Sequence, residues 1–549
     1  MPVAGFNEYR REDAQRYNDR RWWLGLTWGD LFDKATDTYP DREALVDDTR
    51  RFTYRELRDS VDRLAASFIS LGIGQGDFVL LQLPNWNEFI ISFFALQKAG
   101  ARTVLLIARH GRSEINYLSE LTQPKAWIVP ETYGKINYEP LIADIRKDHA
   151  CIEHVVLVRA KQKTGHIDLE DLIRKGARDE ASLRMIEERR PNPMELSLIL
   201  PTGGSTGLPK AVPRTHNDFI TNVEYHSRPW EITSEDTLLT VAPVSHGQGM
   251  LCGVGPAFLN YARYVLLDST RPEDICAVIE REKVTALPTV PVLIQRLVNL
   301  EGLEKYDLRS LRKIYSGGAP SSPELVKAVY EKLECKFVNA YGSTEGPSAM
   351  TNLYDDMNTI CTTVGRKDCP YTDFKVINQY GEELPPGTEG ELVTKGPTIF
   401  TGYFKSPEDN AQIFTKDGYY KTGDLARIDD SGIITLTGRI KETILRGGET
   451  ISAIGIERLI GSHPAIADVA VIGMPDKDLG ERICAYVVRK AGTALTHEEI
   501  VAHLKGLGAS VMQLPERTEF VASIPTTGVG KADKKILKQD IAKKLNYSL

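Results

Sequence analysis

Between about Phe52 and Gly342 the chain repeats one pattern: a short continuous apolar run, a breaker, then a longer amphipathic stretch. Runs that are apolar at every position need cover on both faces, which is the situation of parallel strands joined by crossover helices. FVLLQL (Phe78 to Leu83) predicts such a strand, Pro84 and Asn85 end it, and EFIISFFALQKAG predicts a helix closed by Gly100. HVVLV, TLLTVA, RYVLL and VTALPT repeat the strand signal, and RPEDICAVIEREK sets Pro272 at a helix start with acids behind it. The expected class is α/β: a large N-terminal domain of mixed and parallel sheets with helices.

Past about Asn352 the texture becomes turn-rich, with GEELPPG separating two strand-like runs, and this predicts a β-rich subdomain over about 353–438. A further shift near Arg439 leaves a piece with its own apolar segments, DVAVIGM, ICAYVV, HEEIVAHLKGLG and TEFVASI, in a length typical of one domain. The expected division is therefore 1–438 for the N-terminal domain, 439–441 for a hinge and 442–549 for a small, mobile α+β domain. A chain of 549 residues exceeds what one core organises, so at least two domains are required in any case.

Charge and composition exclude several classes of function. With 68 Lys plus Arg against 75 Asp plus Glu, the net charge of −7 offers no field for a polyphosphate backbone, so nucleic acid is not the expected partner. The seven cysteines show no CxxC spacing and read as reduced thiols rather than a disulfide framework or zinc site. The polar, mixed-charge N-terminus does not read as a secretory signal, and apolar stretches such as FIISFFAL fall short of the roughly 18 residues that span a bilayer. The chain reads as cytoplasmic, with no membrane span.

The sharpest motif is LILPTGGSTGLPKAVPRTH. After a strand-like run, Thr202, Gly203, Gly204, Ser205, Thr206 and Gly207 offer open backbone and hydroxyl donors, and Lys210 adds positive charge. This is the chemistry of a phosphate-binding loop, without the spacing of a Walker loop. Two further strand-to-turn elements, KIYSGGAPSS and KFVNAYGSTEG, end in small residues where open α/β sheets build ligand crevices. In the second, Tyr341 offers a flat surface for a base, Thr344 a hydroxyl and Glu345 a hard oxygen ligand. YYKTGD places Asp424 after a glycine turn, GRIKE holds Arg439 and Lys441, and PTTGVGK places Lys531 in a glycine-rich loop.

TGGSTGLPK, YGSTEG, YKTGD, GRIKE and PTTGVGK, in that order over nearly the whole chain, resemble the adenylate-forming superfamily of acyl-CoA synthetases, adenylation domains and luciferases. The wording GGSTGLPK…PRTHND and TGVGKADKK is most similar to stand-alone aryl-acid ligases of the dihydroxybenzoate-AMP ligase type. The resemblance implies ATP, Mg²⁺ and a thiol co-substrate. Thr202 to Gly207 and Lys210 then match the loop on the β and γ phosphates, Thr344 the α-phosphate ligand, Glu345 the Mg²⁺ ligand, and Gly317, Gly318, Ala319 and Tyr341 the adenine slot. Asp424 matches the ribose carboxylate with Arg439 at its neighbouring position. Lys531 matches the adenylation lysine and Lys441 the hinge, about which the family's C-terminal domain swings between two half-reactions.

His246, in APVSHGQGM, matches a position bordering the acyl pocket and thiol tunnel, with Gly247, Gly249 and Gly318 expected beside the substrate. Dihydroxybenzoate ligases carry Asn directly after this histidine; Gly247 stands there instead, which predicts an acid without ring hydroxyls. The sequence thus favours ATP-dependent activation of a compact cyclic acid, aromatic or alicyclic, followed by transfer to CoA. The alternative is a stand-alone aryl-acid AMP ligase that loads a carrier protein. A nucleotide-binding regulator without turnover is disfavoured by the presence of both Lys531 and Glu345.

Overall fold

The computed structural model describes every residue except 1–2, 162–164, 203–208, 441–442, 447–448, 477–478, 508, 510–512, 528–530, 546 and 548–549. The chain forms two compact units, one comprising residues 1–361, 365–373 and 395–420, the other 362–364, 374–394 and 421–549. The turn-rich segment of the sequence is thus shared out, about half of it lying with the C-terminal residues.

The first unit is built on two large sheets. In one, strands Lys336–Gly342, Lys313–Ser316, Ala286–Thr289, Thr237–Thr240, Arg263–Leu266 and Glu43–Val46 run parallel in that order. Antiparallel Arg51–Thr53 closes one edge, and Ser348–Met350 and Arg366–Lys367 close the other. In the second sheet, Leu196–Thr202, Arg102–Leu105, Phe78–Leu81, Ala126–Pro130, His154–Val158 and Ile167–Asp168 are parallel, with Lys210–Thr215 antiparallel on the edge.

The continuous apolar runs are explained by three cores. Alternate residues of Phe78–Leu81 face different ones: Val79 and Leu81 join the central core, Phe78 and Leu80 the outer core. The central core also takes Leu45, Leu238 and Tyr264 of the other sheet and the helices Trp28–Thr38, Tyr54–Ser70, Asn87–Lys98 and His216–Ser227, so helices fill the space between the two sheets. Pro272–Glu282, Pro291–Val298 and Pro323–Leu333 cover the outer face of the first sheet, and Arg112–Thr122 and Glu139–Asp148 that of the second. Pro272 stands at its helix start, and Gly100, at φ +79°, follows its helix end as expected.

The second unit contains a four-stranded sheet, Asp373–Ile377, Gly390–Lys395, Tyr420–Ile428 and Ile434–Arg439 in that order. A five-stranded sheet follows, in which Gly480–Arg489 pairs Ile466–Asp476, Thr443–Arg446 and Arg517–Phe520. Helices Ala453–Gly461, His497–Gly506 and Lys534–Lys544 pack on it through Ile456, Ile500 and Ile541. All seven cysteines are free, and among the described residues no helix is long and apolar enough to cross a membrane.

Candidate functional site

In the first unit Thr202 ends a parallel strand of the second sheet, and Gly317 to Ala319 and Thr344 to Glu345 follow parallel strands of the first, the edge where such folds bind ligands. Thr202 ends one strand and pairs with Lys210 of the next; the Gly203 to Gly207 stretch between them lies outside the described residues. Lys210 Nζ stands 4.3 Å from the Tyr403 ring centre and 3.4 Å from Asp409 Oδ2. Tyr403 Oη in turn donates to Glu345 Oε1 at 2.8 Å, and both residues are buried. Burial and the adjacent Glu345 carboxylate push the Tyr403 phenol well up, so it stays a donor.

The turn carrying Thr344 and Glu345 is held from behind by Arg214, whose side chain is only 1% exposed. Its guanidinium donates to Asp218 Oδ1 at 2.6 Å and to the carbonyls of Thr344 and Thr398, each at 2.8 Å. Gly346 follows at φ +113°, and a methyl group there would lie 2.0 Å from the Thr398 carbonyl oxygen, so only glycine lets the turn seat. Phe400 N–H donates to the Glu345 carbonyl at 2.8 Å.

On the acyl side, His246 is half-buried, and its Nδ1 accepts from Gln248 N–H at 3.3 Å. A methyl group on Gly247 would stand 3.3 Å from Thr344 Oγ1, so the wall segment abuts the Thr344 turn directly. At Gly249 the missing side chain leaves no open wall: a methyl group there would meet the Pro243 carbonyl at 2.4 Å, and the residue opens a π-helical turn, Gly249–Val254. Thr289 carbonyl accepts from Gln248 Nε2 at 2.9 Å and from Gly317 N–H at 3.2 Å, tying the histidine segment to the Gly317 turn. Gly318 takes φ +86°, Ala319 is half-buried beyond it, and Tyr341 is buried on the neighbouring strand.

In the second unit, Asp424 and Arg439 are cross-strand partners, and Arg439 Nε donates to Asp424 Oδ1 at 2.6 Å. Burial pushes up the Glu391 carboxyl, which faces Lys421 and accepts from Gly423 N–H, supporting the turn ahead of Asp424. Lys531 is exposed, in a turn where its carbonyl accepts from Thr527 N–H at 2.7 Å. Glu457, on the helix after the hinge region, accepts from Val471 N–H at 2.7 Å and pairs with Lys534 at 2.8 Å. Lys441 lies outside the described residues.

The donor set fits Mg²⁺ brought in with a nucleotide. Among the described residues no group of three His, Cys, Asp or Glu side chains forms a cage, whereas a single buried carboxylate with phosphate oxygens is the usual protein contribution to such a site.

Tyr403, Arg214 and Glu391 were not singled out in the sequence. TGYFKSPEDN and VPRTHND carry no signal that a tyrosine or an arginine meets a turn more than fifty residues away, since those contacts are made only in the fold.

A profile of AMP-binding enzymes matches residues 32–404, and a profile of the AMP-binding enzyme C-terminal domain matches residues 455–531. The chain belongs to the AMP-binding enzyme family. It is 35% identical over 545 residues to a 2,3-dihydroxybenzoate-AMP ligase of Bacillus subtilis, covering 99% of each chain. A salicyl-AMP ligase / salicyl-S-ArCP synthetase of Mycobacterium tuberculosis is 32% identical, over 98% of this chain and 95% of that one. A salicylyl-CoA synthase / salicylate adenylyltransferase of a Streptomyces species is also 32% identical, over 98% of each. Among solved structures, apo MbtA of Mycobacterium smegmatis superposes with a TM-score of 0.74 at 32% identity, covering 98% of this chain and 99% of that one. The chain is therefore an enzyme of the adenylate-forming superfamily, similar to aryl-acid ligases.

Proposed function

We propose that the protein activates an aromatic carboxylic acid with ATP, forming the acyl-adenylate and releasing pyrophosphate, and then passes the acyl group to the thiol of a carrier protein. The observation that carries this reading is the Thr344–Glu345 turn. One side meets Tyr403, over whose ring the phosphate-suited Lys210 sits; the other meets Gly247 of the acyl wall. A carboxylate held at that wall lies beside the phosphate-handling groups, and positioning with charge neutralisation is most of what phosphoryl chemistry needs. The CoA acceptor favoured by the sequence gives way here, because dihydroxybenzoate- and salicyl-AMP ligases stand among the relatives along the whole chain.

In this reading Thr202 to Gly207 and Lys210 hold the β and γ phosphates, Thr344 the α-phosphate, and Gly317, Gly318, Ala319 and Tyr341 the adenine. Asp424, oriented by Arg439, accepts from the ribose hydroxyls. Glu345, with the phosphate oxygens, would hold Mg²⁺, which would supply charge neutralisation for pyrophosphate release. Lys531 stabilises charge developing at the carboxylate and α-phosphate. His246 and Gly247 border the acid, and Lys441 is the pivot between adenylation and thiol attack.

Carboxylate-dependent ATP–pyrophosphate exchange over benzoate, salicylate, dihydroxybenzoate, cyclohexene carboxylate and a medium-chain fatty acid tests the first step. An aryl acid should lead the panel; no exchange with any acid refutes the reading. A second acceptor, CoA, is supported by the similarity to a salicylyl-CoA synthase. Thioester formation with free CoA, compared with an aryl carrier domain, separates the two.

A further inference from the structure

Behind the proposed acyl wall lies a cluster of polar groups that the reaction above does not use. His226, on the helix His216–Ser227, is fully buried. Its Nδ1–H donates to Asp368 Oδ2 at 2.8 Å with Ser348 Oγ 2.7 Å away, and the Ser348 hydroxyl donates to the same carboxylate oxygen at 2.5 Å. Across the ring, Nε2 lies 3.1 Å from Tyr315 Oη and 3.5 Å from Cys252 Sγ. Burial works against charge on the imidazole, but the Cys252 sulfur and the Asp368 carboxylate outweigh it, and its pKa rises to about 9.

A buried ion pair contributes little net stability over apolar packing of the same volume, while its hydrogen bonds fix one arrangement of the segments that supply them. Here those segments are the ones that carry the proposed site. Cys252 lies on the π-helical turn that Gly249 opens, three residues beyond it. Tyr315 lies two residues before Gly317, and a methyl group on Gly317 would stand 2.8 Å from Tyr315 Oη, so the hydroxyl that His226 holds touches the Gly317 turn. Ser348 starts the strand that follows Glu345 and Gly346. One imidazole thus links the histidine–glycine wall, the Gly317 turn and the strand beyond the Glu345 turn, with Asp368 as counter-ion.

We infer that His226 is a positioning residue for the acyl end of the site: through Cys252, Tyr315 and Ser348 it fixes the spacing between the Gly247–Gly249 wall and the Gly317 turn, and so determines which acids are accepted. The inference rests on the adenylation reading above. Small displacements of a reacting group carry large rate penalties, so a relaxed wall costs the preferred compact acid most and a bulkier acid least.

The test uses the full-length enzyme in carboxylate-dependent pyrophosphate exchange, with the preferred aryl acid and a bulkier one such as naphthoate. Tyr315→Phe removes one hydroxyl while keeping the ring beside Trp230, 5.4 Å away centre to centre. It should raise the KM for the preferred acid about 10-fold, with a smaller change for ATP, and move the kcat/KM ratio of the two acids toward the bulkier one. Ser348→Ala should act in the same direction. His226→Gln strands the Asp368 carboxylate, and the double variant His226→Gln/Asp368→Asn, which removes both charges together, should recover part of the selectivity lost. Lower melting temperatures with an unchanged acid ratio and unchanged KM for the acid would show that the cluster serves packing alone, and would overturn the inference. Wild type failing with every acid refutes the adenylation reading itself, and the inference falls with it; that result is read before any variant is made.

Discussion

The Tyr403→Phe substitution probes the junction of the phosphate and metal groups at a single atom. Phenylalanine keeps the ring on which Lys210 Nζ rests at 4.3 Å and the edge-on contact with Phe400, whose ring centre is 5.1 Å away. The 2.8 Å bond to Glu345 Oε1 is lost, together with the hydroxyl's hydrogen bond with Tyr420. A hydrogen bond to a carboxylate is worth about 1.5–3 kcal/mol, and Glu345 is too buried for water to replace the donor freely. If the bond holds Glu345 in the orientation required in the transition state, kcat/KM for ATP falls roughly 10- to 100-fold. The assay is pyrophosphate exchange at saturating acid with Mg²⁺ titrated, where the variant should need more Mg²⁺ to reach half-maximal rate. Binding of Mn²⁺ to the enzyme–ATP complex, followed by electron paramagnetic resonance, gives a readout independent of turnover and should weaken in parallel. Wild-type kcat/KM together with an unchanged metal requirement would refute the role assigned to Tyr403 and weaken that of Glu345.

Four other outcomes follow from the geometry. Lys531→Ala should cost adenylation about 10²–10³-fold while sparing thioester formation from supplied acyl-adenylate, and equal damage to both steps would refute a role confined to the first. Arg214→Met leaves Asp218 buried without its cation and should destabilise the fold by about 3–5 kcal/mol in chemical denaturation; a loss under 1 kcal/mol would show that the pair is dispensable. Burial raises the Glu282 carboxyl, but Arg51, Arg281 and Arg263 outweigh that and bring it to about 2, below its ordinary 4.5, so its contribution is present above pH 4.5 and lost as pH falls toward 2. Glu282→Gln should accordingly flatten the stability profile in that window, and an unchanged slope in acid titrations counts against it. Gly247→Asn pushes a side chain against Thr344 Oγ1, where even a methyl group would come to 3.3 Å, so exchange should fall for every acid but least for hydroxylated ones, by roughly 10-fold in the ratio of kcat/KM values. A uniform loss across salicylate and benzoate would remove Gly247 from acid selection.

The strands were legible in the sequence because burial on both faces makes each a continuous apolar run. Val79 and Leu80 are neighbours in sequence and belong to different cores, yet both positions demand an apolar side chain. The glycine-bearing turns were legible for a related reason: where a strand stops at a ligand crevice, small residues and hydroxyls interrupt the apolar run, as at Ser316–Gly317 and Gly342–Ser343. The division into units is different in kind. Residues 374–394 pack with the C-terminal part while 395–420 return to the first unit, and a change of partner between consecutive residues leaves no mark in composition or periodicity.

The supporting groups stayed hidden because the energy that selects them is collected at long sequence separation. Arg214 meets carbonyls 130 and 184 residues onward. In the sequence it is one of many arginines; in the fold it is a buried cation that stays satisfied only if the Thr344 turn and the Thr398 segment both present their carbonyls to it. Displacing either turn leaves a buried guanidinium N–H without its acceptor at a cost of about 1–3 kcal/mol, whereas a misplaced surface pair costs less than about one. The same reasoning applies to Tyr403 on Glu345 and to His226 on Asp368. The proposed catalytic groups occupy turns that a ligand must reach, so the rigidity of those turns has to come from behind them. In this chain it comes from polar groups whose desolvation penalties permit a single arrangement.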